Sequence, residues 1–131
     1  MLAPVRFGAV QPFIYKVQAT LDPSGTDTVT LTLASDSEFE LHFYGASTSL
    51  QDATDPQPND FELLIKVNDQ DLSNGRIPQR ILTLPANQVV PQVRPIIFAP
   101  KSQFVFDFLN LIAGEADNVV TFTMHGYKLM L

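Results

Sequence analysis

The chain carries two histidines and no cysteine, so His42 and His125 are its side chains best suited to proton transfer or metal ligation near neutral pH. His42 sits in Glu40-Leu41-His42-Phe43-Tyr44, among acids on an alternating stretch. His125 sits in Met124-His125-Gly126-Tyr127-Lys128. A transition-metal centre needs several converging donors, and two imidazoles do not complete one. No metal ligand set and no cofactor is expected.

Other catalytic constellations fail on spacing. A cupin-type metal site needs a closely spaced histidine pair, and His42 has no second histidine two residues away. Ser47, His42 and Asp52 form a triad on paper, but no GxSxG elbow supports it. Asp36, Glu38 and Glu40 suggest paired carboxylates for glycoside hydrolysis, yet they sit where a strand needs a wet face. Asp52, Asp55, Asp60, Asp69 and Asp71 lack the register of a calcium loop. Gly25, Gly45, Gly75, Gly114 and Gly126 stand singly, so no phosphate cradle is expected. The chain is read as a non-enzyme with no catalytic residues.

A structural reading accounts for His125. Val120, Phe122 and Met124 read as inward, and Tyr127, Leu129 and Leu131 resume the apolar alternation after Gly126. Inward parity thus passes from even to odd across His125-Gly126, as one extra residue in a β-bulge would make it do.

Those residues must be carried by strands, because period-two alternation runs through the whole chain. PFIYKVQAT, Pro12 to Thr20, is one strand, closed by the turn Asp22-Pro23-Ser24-Gly25. TDTVTLTLA sets Val29, Leu31 and Leu33 against Thr28, Thr30 and Thr32. EFELHFY places Phe39, Leu41 and Phe43 inward and Glu38, Glu40, His42 and Tyr44 outward. A long polar loop is expected over residues 45–60. FELLIKV is a strand, NDQDLSNG supplies turn residues, and a further strand is expected over residues 77–84. A short strand near Ile96-Ile97-Phe98, then QFVFDFLNL and VVTFTMHGYKLML, complete the set. The pattern predicts an all-β fold, an eight-stranded antiparallel β-sandwich. A jelly roll is favoured over an immunoglobulin-like sandwich because the Cys…Trp…Cys signature is missing. One domain is expected over residues 13–131, preceded by an extended N-terminal arm over residues 1–12, where Pro4 and Pro12 oppose a helix.

Composition narrows the partners. The net charge of −6 argues against nucleic acid. No run approaches the ~20 apolar residues of a membrane helix, and the first twelve residues lack the pattern of a secretion signal. A soluble protein is expected. Charge is unevenly spread: eleven acids and one base lie between Asp22 and Asp71, while Arg76, Arg80, Arg94 and Lys101 occupy an acid-free stretch. That asymmetry suits either a solvated surface or a dipolar module docking on a complementary neighbour.

Several segments resemble small tailed-phage virion proteins. SEFELHFYGASTS resembles their aromatic strand running into a Ser/Thr loop. FELLIKVNDQDLSNGRIP resembles their strand-turn-strand, and RPIIFAPKSQFVFDFLNL their proline-strand-turn-strand ending in Asn110-Leu111. His125 to Lys128 resembles part of their closing strand. The family is that of jelly-roll capsid cement, or decoration, proteins. The resemblance implies a non-enzymatic role binding and stabilising the shell, with the major capsid protein of the HK97-like fold as partner. It also implies self-association as a dimer or trimer, assembly on the virion surface after synthesis in the host cytoplasm, and no nucleic-acid or membrane partner. The family transfers no binding residues. From the sequence itself, Val5, Phe7 and Val10 of the arm are candidate anchors onto a neighbour, and Arg76, Arg80 and Arg94 are candidate contacts in the basic stretch. The alternatives are a glycan-binding jelly-roll module and a tail or neck subunit.

Overall fold

The computed structural model describes residues 10–48, 61–78, 82, 89–111 and 118–130, whose regular structure is entirely β-strand. The strands are β1 (Val10–Leu21), β2 (Thr26–Thr32), β3 (Ser37–Thr48), β4 (Phe61–Val67), β5 (Gln70–Asp71), β6 (Ile77–Pro78), β7 (Val90–Phe98), β8 (Gln103–Asn110) and β9 (Asn118–Met130). They form two antiparallel sheets, ordered β1-β9-β3-β7 and β2-β8-β4-β5, with β6 also on β4. β5 pairs with Lys66 and Val67, and β6 with Glu62 and Leu63. Both therefore occupy one edge position, interrupted between Asp71 and Ile77. The described strands thus fill eight positions, and successive positions alternate between the sheets except at β4 and the β5/β6 edge, which are neighbours in the second sheet. That winding is the order of a jelly roll.

The alternation fills the space between the sheets with phenylalanine. Phe104, Phe106 and Phe108 of β8 are fully buried and stack along the strand with centroids 5.8 and 6.5 Å apart. Phe106 meets Phe122 of the opposite sheet at 5.5 Å. Phe39, Phe61 and Leu63 complete the centre, each buried side chain contributing roughly 1.5–3 kcal/mol. Tyr15 is the polar exception, and its hydroxyl accepts the Ala34 amide at 3.1 Å. At one end of the sandwich Thr48 donates to Asn118, Asn118 donates to Asn110, and Asn110 donates to the Asp22 carbonyl at 2.9 Å. This buried chain joins β3, β9 and β8 to the turn after β1.

Four boundaries differ from expectation. β1 begins at Val10, so Val10 to Pro12 belong to the sheet rather than the arm. β7 spans nine residues rather than three; it is an edge strand, where Pro91 and Pro95 need not donate to a ladder. Gly45 to Thr48 end β3 rather than open a loop. Within the expected turn NDQDLSNG, Gln70-Asp71 pairs as β5. Residues 1–9 and 49–60, and all of 79–88 except the buried Leu82, lie outside the described residues.

Candidate functional site

The functional candidate is a kinked region on the outer face of the first sheet. β9 keeps an unbroken register with β1 from Leu129↔Val10 to Asn118↔Leu21. No residue is inserted at His125-Gly126, so the expected bulge is not there. It lies on β3, which pairs Leu41 with Gly126 and Phe43 with His125, leaving His42 as the extra residue. The bulge reverses the parity of β3. Phe39 and Leu41 are buried before it, and Ala46 and Thr48 after it. Tyr44 stacks on Phe122 at 6.1 Å, whereas Phe43 is 42% exposed. The expected inward Phe43 and outward Tyr44 are thus exchanged.

Gly126 serves the same kink from the other side. A Cβ at this position would lie 1.8 Å from the Glu40 carbonyl oxygen. The glycine is there because the bent β3 backbone crosses it closely, not because it hosts the bulge.

Unbroken register on β9 also turns Tyr127 and Leu129 outward, on the parity of His125 and opposite to the buried Met124. Across the sheet, one outer row runs Ile14, His125, Phe43 and Pro91. The next runs Pro12, Tyr127, Glu40 and Ile97, and a third Val10, Leu129 and Glu38. Ile14 is 56% exposed and Tyr127 38%. Toward the other end the same face is polar, with Gln18, Thr121, Ser47 and Thr123. An apolar patch is therefore confined to the kinked end.

Both histidines border one shallow hollow in this patch, together with Ile14, Phe43 and Tyr127. His42 Nε2 lies 2.6 Å from Glu40 Oε1, and its ring meets Tyr127 edge-on at 5.2 Å. His125 Nε2 lies 2.9 Å from Thr123 Oγ1. Each imidazole is oriented by a neighbour on its own strand. Among the described residues no three His, Asp or Glu side chains are grouped to hold a metal. The arrangement offers apolar contact with a few hydrogen-bonding groups along its rim. A second, more enclosed cavity of about 210 Å³ lies between the sheets, lined by Ile65, Leu72, Ile77, Ile96 and Phe98 among others. That is smaller than the roughly 300 Å³ at which small-molecule pockets begin.

The expected contact residues are scattered. Val10 is at a corner of the apolar face. Arg94 is on the opposite edge of that sheet, in residues 92–95, which loop out between the pairs Leu41↔Ile96 and Phe43↔Pro91. Arg76 follows β5 on the other sheet and donates to the Asp107 carboxylate at 3.0 Å and to its carbonyl at 3.1 Å. Its guanidinium thus clips the edge to β8. Val5, Phe7 and Arg80 lie outside the described residues. The patch residues Ile14, Phe43, Tyr127 and Ile97 were not among the expected contact residues. Alternation in the first strand could have turned Ile14 outward, but Phe43 is exposed only through the bulge.

No family model and no curated protein matches the chain. Among solved structures, the chain is similar to dimeric latent PorU from Porphyromonas gingivalis, at 12% identity and a TM-score of 0.37 over 92% of its length. It spans 13% of that protein's chain.

Proposed function

We propose that the chain is a virion structural protein that binds and stabilises the shell of a tailed phage, without enzymatic activity. The observation that carries this reading is the apolar end of the first sheet's outer face, where Ile14, Phe43, Tyr127 and Ile97 are exposed together. Contiguous apolar surface on a soluble body marks an interaction site. The ordered segment resemblances to cement proteins supply the partner, the major capsid protein of the HK97-like fold. Self-association as a dimer or trimer would let modest contacts reinforce one another through effective concentration. On this reading the protein is made in the host cytoplasm and ends on the capsid surface.

The test is occupancy on empty expanded shells, measured by cryo-EM. Wild-type protein is expected to decorate them, and an Ile14→Ser/Phe43→Ser double variant to lose most occupancy while keeping its melting temperature. Full occupancy by the variant removes this face from the reading; absence of wild-type binding removes the capsid reading. Density on a tail or neck would reassign the protein within the particle. A glycan-binding role is favoured by one observation, the exposed rings of Phe43 and Tyr127 beside the hydrogen-bonding pair Glu40 and His42. Hits on a glycan array that vanish in Tyr127→Ala would establish it.

A further inference from the structure

The cavity of about 210 Å³ between the sheets lies where both of them are interrupted. On the second sheet β5 covers Lys66 and Val67 and β6 covers Glu62 and Leu63, so Leu64 and Ile65 of β4 have no strand beside them on that edge. The Leu72 amide instead donates to the Ile65 carbonyl at 3.0 Å. On the first sheet residues 92–95 loop out of β7. Ile65 and Gln92 both line the cavity, so the two interruptions meet on it. Its floor includes the buried Phe104, Phe122 and Met124, and its rim the exposed Leu72 and Ile96. Protein interiors are close-packed, and a void this large left unfilled costs stability. Among the described residues no charged side chain lines it. Tyr44 and Gln92 are also in its wall, and among the described residues nothing hydrogen-bonds the Tyr44 hydroxyl or the Gln92 side-chain amide.

We propose that this cavity binds a small neutral molecule, an apolar body about the size of a benzene ring carrying one hydroxyl group. The volume sets the size. It exceeds the roughly 150 Å³ of an engineered apolar cavity that takes up benzene, and falls short of what a drug-sized ligand needs. The uncharged lining sets the neutrality, since a charge buried there has no partner. Tyr44 and Gln92 set the polar group, because each can donate to a hydroxyl and accept from it. The ring enters between Leu72 and Ile96 and rests against Phe104 and Phe122. Such a site needs no shell contact, so it goes beyond the capsid reading and stands apart from it.

The probes are toluene and p-cresol, which share a body and differ by one hydroxyl, titrated into the full chain while amide signals are recorded. Both are expected to shift the signals of Ile65, Ile96 and Met124 saturably. At about ten times its dissociation constant, p-cresol should raise the ratio of folded to unfolded protein about elevenfold, read by urea unfolding. In a Tyr44→Phe/Gln92→Leu variant toluene is expected to keep its affinity. There p-cresol should lose about tenfold, because its hydroxyl is desolvated without a partner. Ile65→Phe fills the cavity and is expected to abolish binding of both probes without lowering the urea midpoint. Absence of saturable shifts at these residues overturns the proposal, and so does binding that survives Ile65→Phe unchanged. A double variant that treats the two probes alike overturns the assigned ligand class. Should Ile65→Phe not fold, the contrast between the probes in the double variant still decides.

Discussion

At the scale of single residues the kink depends on Gly126, and the space beside it decides what a substitution does. A methyl there would collide with the Glu40 carbonyl at 1.8 Å, and backbone rather than a flexible side chain would have to move. Gly126→Ala is therefore expected to lower stability by at least about 2 kcal/mol, read from the midpoint of urea unfolding. Phe43→Ser makes the contrast. This ring is half in solvent, so the change should leave stability within about 0.5 kcal/mol of wild type while weakening any binding at the face. Neither role was legible from the sequence. Alternation in VVTFTMHGYKLML showed that parity fails near Gly126, but a single strand cannot reveal which of its neighbours carries the inserted residue. The glycine pointed to the right place for the wrong reason.

At the scale of elements, β8 and the buried amide chain hold the two sheets in one arrangement. Phe106 touches Phe104 and Phe108 along its own strand and Phe122 across the gap. Phe106→Ala should cost about 3–5 kcal/mol, measured by the same unfolding titration. Asn118→Ala deletes the bonds to Thr48 and Asn110 in a fully buried setting, and should cost about 1–3 kcal/mol. The difference between these variants separates packing from polar bonding as the source of order at the two places. Strands such as β8 were legible because in QFVFDFLN phenylalanine alternates with other residues over eight positions. β7 was cut short in the sequence reading because Pro91 and Pro95 look like punctuation; on a sheet edge they are compatible with pairing on one side only. The interruption between β5 and β6 was hidden for a related reason, since Asn68 to Gly75 is rich in turn residues whether or not two of them also pair.

At the scale of the molecule, strand number and layer count followed from local pattern, but the order of strands did not. Pairing is a long-distance fact: Val10 meets Leu129, and Thr26 meets Leu109. Such topologies must close large loops before contacts reward them, so refolding is expected on the millisecond-to-second scale in stopped-flow dilution from urea. The position of β9 sharpens this point. It lies between β1 and β3, so among the described strands β1, though it precedes the others, has no hydrogen-bonded sheet neighbour until residues 118–130 exist. On the ribosome the nascent polypeptide must therefore wait. Stalled chains ending before Asn118 should be digested rapidly by added protease, and resistance should appear only once the whole of β9 has cleared the exit tunnel.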